Sequence, residues 1–128
     1  SEKLEMNKQG GLIPYMFQSL GIIKNAPIVC DSNYEEKILK LREYGYVNAV
    51  KTNKYPGSVF DGVSLMQKTK IVITSNSKNL NNEQMNYSWD SDRMGVIVDK
   101  PIDKHNHLID CSRYVCMKMR DEGILKIV

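Results

Sequence analysis

Short β-leaning runs alternate with helical segments along this chain, and that alternation limits its fold more than any other feature. An apolar run at residues 28–30 ends at Asp31, a second covers residues 46–51, and a third, Lys-Ile-Val-Ile-Thr, covers residues 70–74. Between and around them the apolar residues recur at helical spacing. Residues 12–20 predict a helix with Pro14 in its first turn and Gly21 as its stop. Ser32 and Glu35 form a capping box for a helix to about residue 44, with Ile38, Leu39 and Leu41 as its apolar stripe and Gly45 as its end. Residues 59–67 and 79–87 predict two further helices, and residues 89–98 a hairpin turning at Asp90-Ser-Asp-Arg. A last helix is expected over residues 105–121, stopped by Gly123, with Leu108, Ile109, Tyr114, Val115 and Met119 on its buried side. Strands separated by helices predict an α/β sheet, in which the functional crevice lies beyond the carboxyl ends of the strands.

At 128 residues the chain fits one domain, residues 1–128, with an adequate core. Residues 1–11 are polar, end in Gly10-Gly11, and read as a strand remnant or a tail. Hydrophobic residues make up 41% and charged residues 26%, as in ordinary globular proteins. No apolar run approaches the roughly 18 residues that span a bilayer, and no secretory pattern opens the chain. Cys30, Cys111 and Cys116 are odd in number and lack framework spacing, which points to a reducing compartment. A net charge of +3 fits a polyanionic partner without requiring one, so the placement of the charges has to carry that argument.

Three places could carry chemistry. Asp31 follows a buried strand, where a carboxylate can reach a metal ion or simply cap the helix that follows. His107 and Asp110 stand three residues apart on a helix and so share a face. They read as a metal or water-positioning pair, or as the wet side of an amphipathic helix. Lys51, Lys54, Gly57 and Ser58 could hold a phosphate with two cations, a close-approach glycine and the amides that open a helix. The alternative is a solvated loop; it is not a P-loop, because GxxxxGK[ST] is absent. Tyr87 and Trp89 read as packing residues before they read as stacking platforms. The tripeptide His105-Asn-His107 is no endonuclease signature, and His105, His107, Cys111 and Cys116 lack the paired spacing of a zinc site.

Taken in order, several motifs resemble the nuclease domain of tailed-phage terminase large subunits. They are Ile28-Val-Cys-Asp31-Ser, Tyr55-Pro-Gly57-Ser58-Val-Phe-Asp-Gly62-Val, Lys70-Ile-Val-Ile, Tyr87-Ser-Trp89, and Pro101-Ile-Asp103-Lys-His-Asn-His107-Leu-Ile-Asp110-Cys-Ser-Arg113-Tyr114. The resemblance implies an RNase H-like mixed sheet flanked by helices, related to the RuvC resolvases. It further implies a metal-dependent endonuclease that cuts concatemeric double-stranded DNA. Asp31 and Asp110 match the family's metal-holding acids and His107 the histidine beside them, with Mg²⁺ or Mn²⁺ as the ions. The Gly57-Ser58 loop matches a family loop near the site, and DNA contact by Lys51 and Lys54 is the expectation for its cations.

The implied partners are double-stranded DNA, the portal protein and the small terminase subunit, in the host-cell cytoplasm and away from membranes. The family's first acid lies on a first strand that precedes the matched region, and Glu2 and Glu5 do not match it. The expectation is therefore a domain truncated at its N-terminus, with residues 1–11 as the end of a third strand. Loss of one ligand set should weaken at least one ion site and lower the activity of the isolated chain. An unpaired sheet edge would favour a homo-oligomer or strand swapping. The rival readings are a non-catalytic module binding DNA or a packaging partner, and an RNase H-like resolvase or transposase of another lineage.

Overall fold

The computed structural model describes residues 11–101 and 106–125. The expectations for residues 1–10, Asp103 and His105 fall outside them. The chain divides into two compact units, Ser1–Asn53 and Lys54–Val128.

In the first unit, α1 (Leu12–Ser19) precedes β1 (Ile28–Cys30), a 3-10 turn (Ser32–Tyr34), α2 (Glu35–Glu43) and β2 (Ala49–Lys51). The two strands are parallel, with Ile28 opposite Ala49 and Cys30 opposite Lys51. The strand–helix–strand order expected of an α/β chain is therefore present. The Thr52 amide donates to the Cys30 carbonyl at 2.8 Å and extends the pairing past the strand ends. Ile38, Leu41, Tyr46 and Ala49 form the core, with Ile13, Phe17, Ile22 and Ile28 packed against it. Tyr46 is fully buried, edge-on to Phe17 at 5.6 Å, with the Lys24 ammonium 4.2 Å from its ring centroid.

Two expectations for this unit change. The capping box at Ser32 and Glu35 is not used. The Asp31 carboxylate instead accepts from the Asn33 amide at 3.1 Å, which closes the 3-10 turn and delays α2 to Glu35. The second strand is shorter than residues 46–51, because the Tyr46 amide is engaged in ending the helix. It donates to the Leu41 carbonyl while the Gly45 amide donates to that of Arg42, the paired bonds of a Schellman stop. Gly45 makes the stop possible with φ of 97°, a value that costs a residue with a Cβ.

The second unit contains α3 (Ser58–Lys68), α4 (Lys78–Asn86), an antiparallel hairpin of β3 (Trp89–Ser91) and β4 (Ile97–Pro101), and α5 (His107–Asp121). Asp92 builds the hairpin turn, its Oδ1 accepting from the amides of Met94 and Val96. Residues 70–74 are not a strand, contrary to the sequence pattern. They alternate as a strand would: Ile71 and Ile73 line a cavity of about 510 Å³ while Val72 is 79% exposed. No ladder partner meets them among the described residues, and β-propensity without pairing does not make a strand.

The buried face of α5 also differs from the expected stripe. Ile109, Arg113, Tyr114 and Met117 are buried, whereas Leu108 and Val115 are exposed. Gly62 of α3 explains the shift. A Cβ at that position would lie 2.5 Å from Arg113 Cγ and 2.8 Å from Met117 Sδ, so the missing side chain is the space those two occupy. Gly62→Ala is expected to cost about 2–3 kcal/mol through overpacking, which outweighs a helix-propensity gain of about 1 kcal/mol and leaves a net loss of about 1–2 kcal/mol. Urea melts will show a lower midpoint; an unchanged or higher one would mean the contact has slack. No helix among the described residues is long and apolar enough to cross a membrane.

Candidate metal and DNA site

Asp31 stands at the carboxyl end of β1, half-buried, with its Oδ1 engaged by the Asn33 amide. A carboxylate offers about four lone-pair positions, so capping does not exhaust its capacity as a ligand. Both sequence readings of Asp31 thus remain compatible with its geometry. At the end of β2, the Lys51 ammonium lies 3.3 Å from Glu35 Oε1, and both side chains are exposed.

In the second unit, α5 brings His107 and Asp110 into one helical turn. His107 is exposed at the first helical position. Asp110 is half-buried, and its Oδ1 lies 3.4 Å from the Arg113 guanidinium. Arg113 is only 4% exposed and lies over the Tyr114 ring at 4.8 Å. Its Nε finds no hydrogen-bond partner among the described residues. Burial pushes the Tyr87 phenol above its usual range; Asp110 adds to the rise and Arg113 opposes it.

One residue that sequence reasoning passed over holds the start of α5. The N-cap residue Asn106 makes no side-chain capping bond. Glu83 of α4 supplies the acceptor instead, its Oε2 receiving the Leu108 amide at 2.7 Å and the Ile109 amide at 3.0 Å. A single acid on a polar helix, 25 residues from its partner, gives no local signal. Only the packing of α4 on α5 reveals it.

The expected phosphate loop divides. Gly57 precedes α3 with φ of 84°, and the backbone around it opens the helix as anticipated. Ser58, however, is buried, so its contribution to a ligand would come through backbone rather than hydroxyl. The Lys54 ammonium sits 5.9 Å from the Tyr114 ring centroid.

Within either unit alone, the described residues gather no three His, Cys, Asp or Glu side chains into a metal-holding group. Cys30 and Cys116 are half-buried, and burial raises both thiols, with Arg42 partly opposing this at Cys30. That disfavours the thiolates a zinc site would use. Carboxylate oxygens, such as Asp31 offers in the first unit and Asp110 in the second, are hard donors of the kind that Mg²⁺ and Mn²⁺ take.

A family model described as the terminase RNase H-like domain matches residues 21–117. Among solved structures, the large-terminase nuclease domain of bacteriophage SPP1, crystallised with bound Mn, is similar with a TM-score of 0.72 and 27% identity. The match covers 80% of this chain and 59% of that one, so the chain spans less than two thirds of its structural relative. A search of curated protein sequences returned no match. With most of its length matched by the family model and an α/β architecture similar to that nuclease domain, the chain belongs to the terminase RNase H-like domain family.

Proposed function

We propose that this chain is the metal-dependent endonuclease domain of a phage DNA-packaging terminase, cutting concatemeric double-stranded DNA in the host-cell cytoplasm. The observation that carries the reading is its similarity to a large-terminase nuclease domain with bound Mn. Asp31 and Asp110 would hold the ions, and His107 would ligate one or orient the attacking water. When bound, Mg²⁺ or Mn²⁺ would polarise the scissile phosphodiester and lower the pKa of a coordinated water.

The chain's own residues set up the rest. The carboxylates present anionic oxygens, and an imidazole nitrogen of His107 can take a proton from water in the open, since the ring is exposed. Lys51 and Lys54 would meet backbone phosphates, joined by the backbone amides at Gly57 and Ser58. Such contacts give affinity with little sequence readout. The portal protein and the small terminase subunit are the partners proposed for the intact assembly.

Calorimetric titration of Mn²⁺ into the chain tests the site. Binding is expected for the wild type, and loss of at least one binding event for both Asp31→Asn and Asp110→Asn. Absence of binding to the wild type would instead favour a non-catalytic module that docks DNA or a packaging partner.

A further inference from the structure

Metal ligands on the first turn of a helix are only as well placed as that turn. The first amides of a helix have no partner within it, and an uncapped end frays. His107 occupies the first helical position of α5 and Asp110 the fourth, so both lie where fraying would move them most. The residue at the cap position, Asn106, makes no side-chain capping bond. The two otherwise orphaned amides, Leu108 and Ile109, both donate to one oxygen of Glu83, at 2.7 and 3.0 Å.

We infer that Glu83 is a positioning residue for the metal-holding turn of α5, an inference that rests on the nuclease reading above. Its carboxylate reaches across from α4 and grips α5 at the two amides between His107 and Asp110. The grip is charge-assisted and also meets the positive end of the helix dipole. Arg113, one turn further along α5, contacts Asp110 Oδ1 at 3.4 Å, so the helix is held at its end and the carboxylate has a partner of its own. Glu83 thereby sets the direction in which His107 and Asp110 leave the helix without touching ion or DNA.

Groups that orient metal ligands typically change metal affinity by about 10- to 100-fold when removed. Glu83→Ala is therefore expected to weaken Mn²⁺ binding by about 10- to 100-fold in calorimetry. Amide exchange at Leu108 and Ile109 should accelerate in the same variant, while protection in α1, α2 and α3 stays at wild-type level. Glu83→Gln, whose amide oxygen can still accept both bonds, should restore affinity to within about threefold. Glu83→Asp keeps the charge but is one methylene short, and should behave like the alanine variant. It also tests the positioning role if Glu83→Ala fails to fold.

Asp110→Asn is the control that separates the two readings. If that variant loses Mn²⁺ binding while Glu83→Ala or Glu83→Asp keeps wild-type affinity, the positioning role is wrong and the nuclease site stands. If Asp110→Asn keeps wild-type affinity, the metal assignment fails and the role of Glu83 falls with it.

Discussion

Asp110→Asn in the intact protein is expected to lower Mn²⁺-dependent nicking of supercoiled plasmid by roughly a thousandfold, a barrier increase of about 4 kcal/mol. The substitution removes the negative charge and keeps the shape. Asparagine still presents an oxygen to the Arg113 guanidinium, which lies 3.4 Å from Asp110 Oδ1 in the wild type. The packing of α5 therefore survives, and the melting temperature should fall by no more than about 5 °C, equivalent to about 1 kcal/mol. DNA affinity, measured without metal, should change by less than about twofold, because the basic residues proposed to meet phosphate are untouched. Nicking at more than about a tenth of the wild-type rate would remove Asp110 from the catalytic assignment. A large drop in melting temperature would instead show that the charge is needed to keep Arg113 buried.

Tyr46→Ala should destabilise the first unit by about 3–5 kcal/mol, a large share of the total for a domain with a typical stability of about 5–15 kcal/mol. Tyr46 is fully buried, sits edge-on to Phe17, and lies under the Lys24 ammonium. Truncation removes all three contributions and leaves a cavity between α1 and α2. Tyr46→Phe separates ring from hydroxyl. The Tyr46 hydroxyl is buried with no hydrogen-bond partner among the described residues, so its removal should be neutral or stabilising by up to about 1 kcal/mol. Guanidinium melts of the two variants decide the matter. A loss above about 1 kcal/mol in the phenylalanine variant would mean the hydroxyl is bonded in solution.

What could be read from the residues alone was what local chemistry determines. Asp31 was expected after a buried strand because the apolar run stops there; it does stand at the carboxyl end of β1, although the three residues of that strand are only half-buried. Gly45 and Gly123 were legible as helix stops because a left-handed residue ends a helix wherever the chain goes next. Residues 70–74 misled for the opposite reason. Their side chains alternate as a strand's do, but strand formation depends on a neighbour that no local pattern specifies. The buried face of α5 was misjudged because Arg113 looks like a surface residue until the gap at Gly62 is seen to receive it. Glu83 was invisible on the same grounds: its partners are 25 and 26 residues away.

The contact at Gly62 has a mechanical consequence. It lies about one turn from the start of α3, and Arg113 lies about one turn beyond Asp110 on α5. The backbone of α3 there lies close against the side chains of Arg113 and Met117, with no room for a Cβ between them. The helix that the Gly57 loop opens and the helix that bears His107 and Asp110 thus meet at one close contact. A change of side chain at Gly62 would therefore be met on both helices that lead to these two segments.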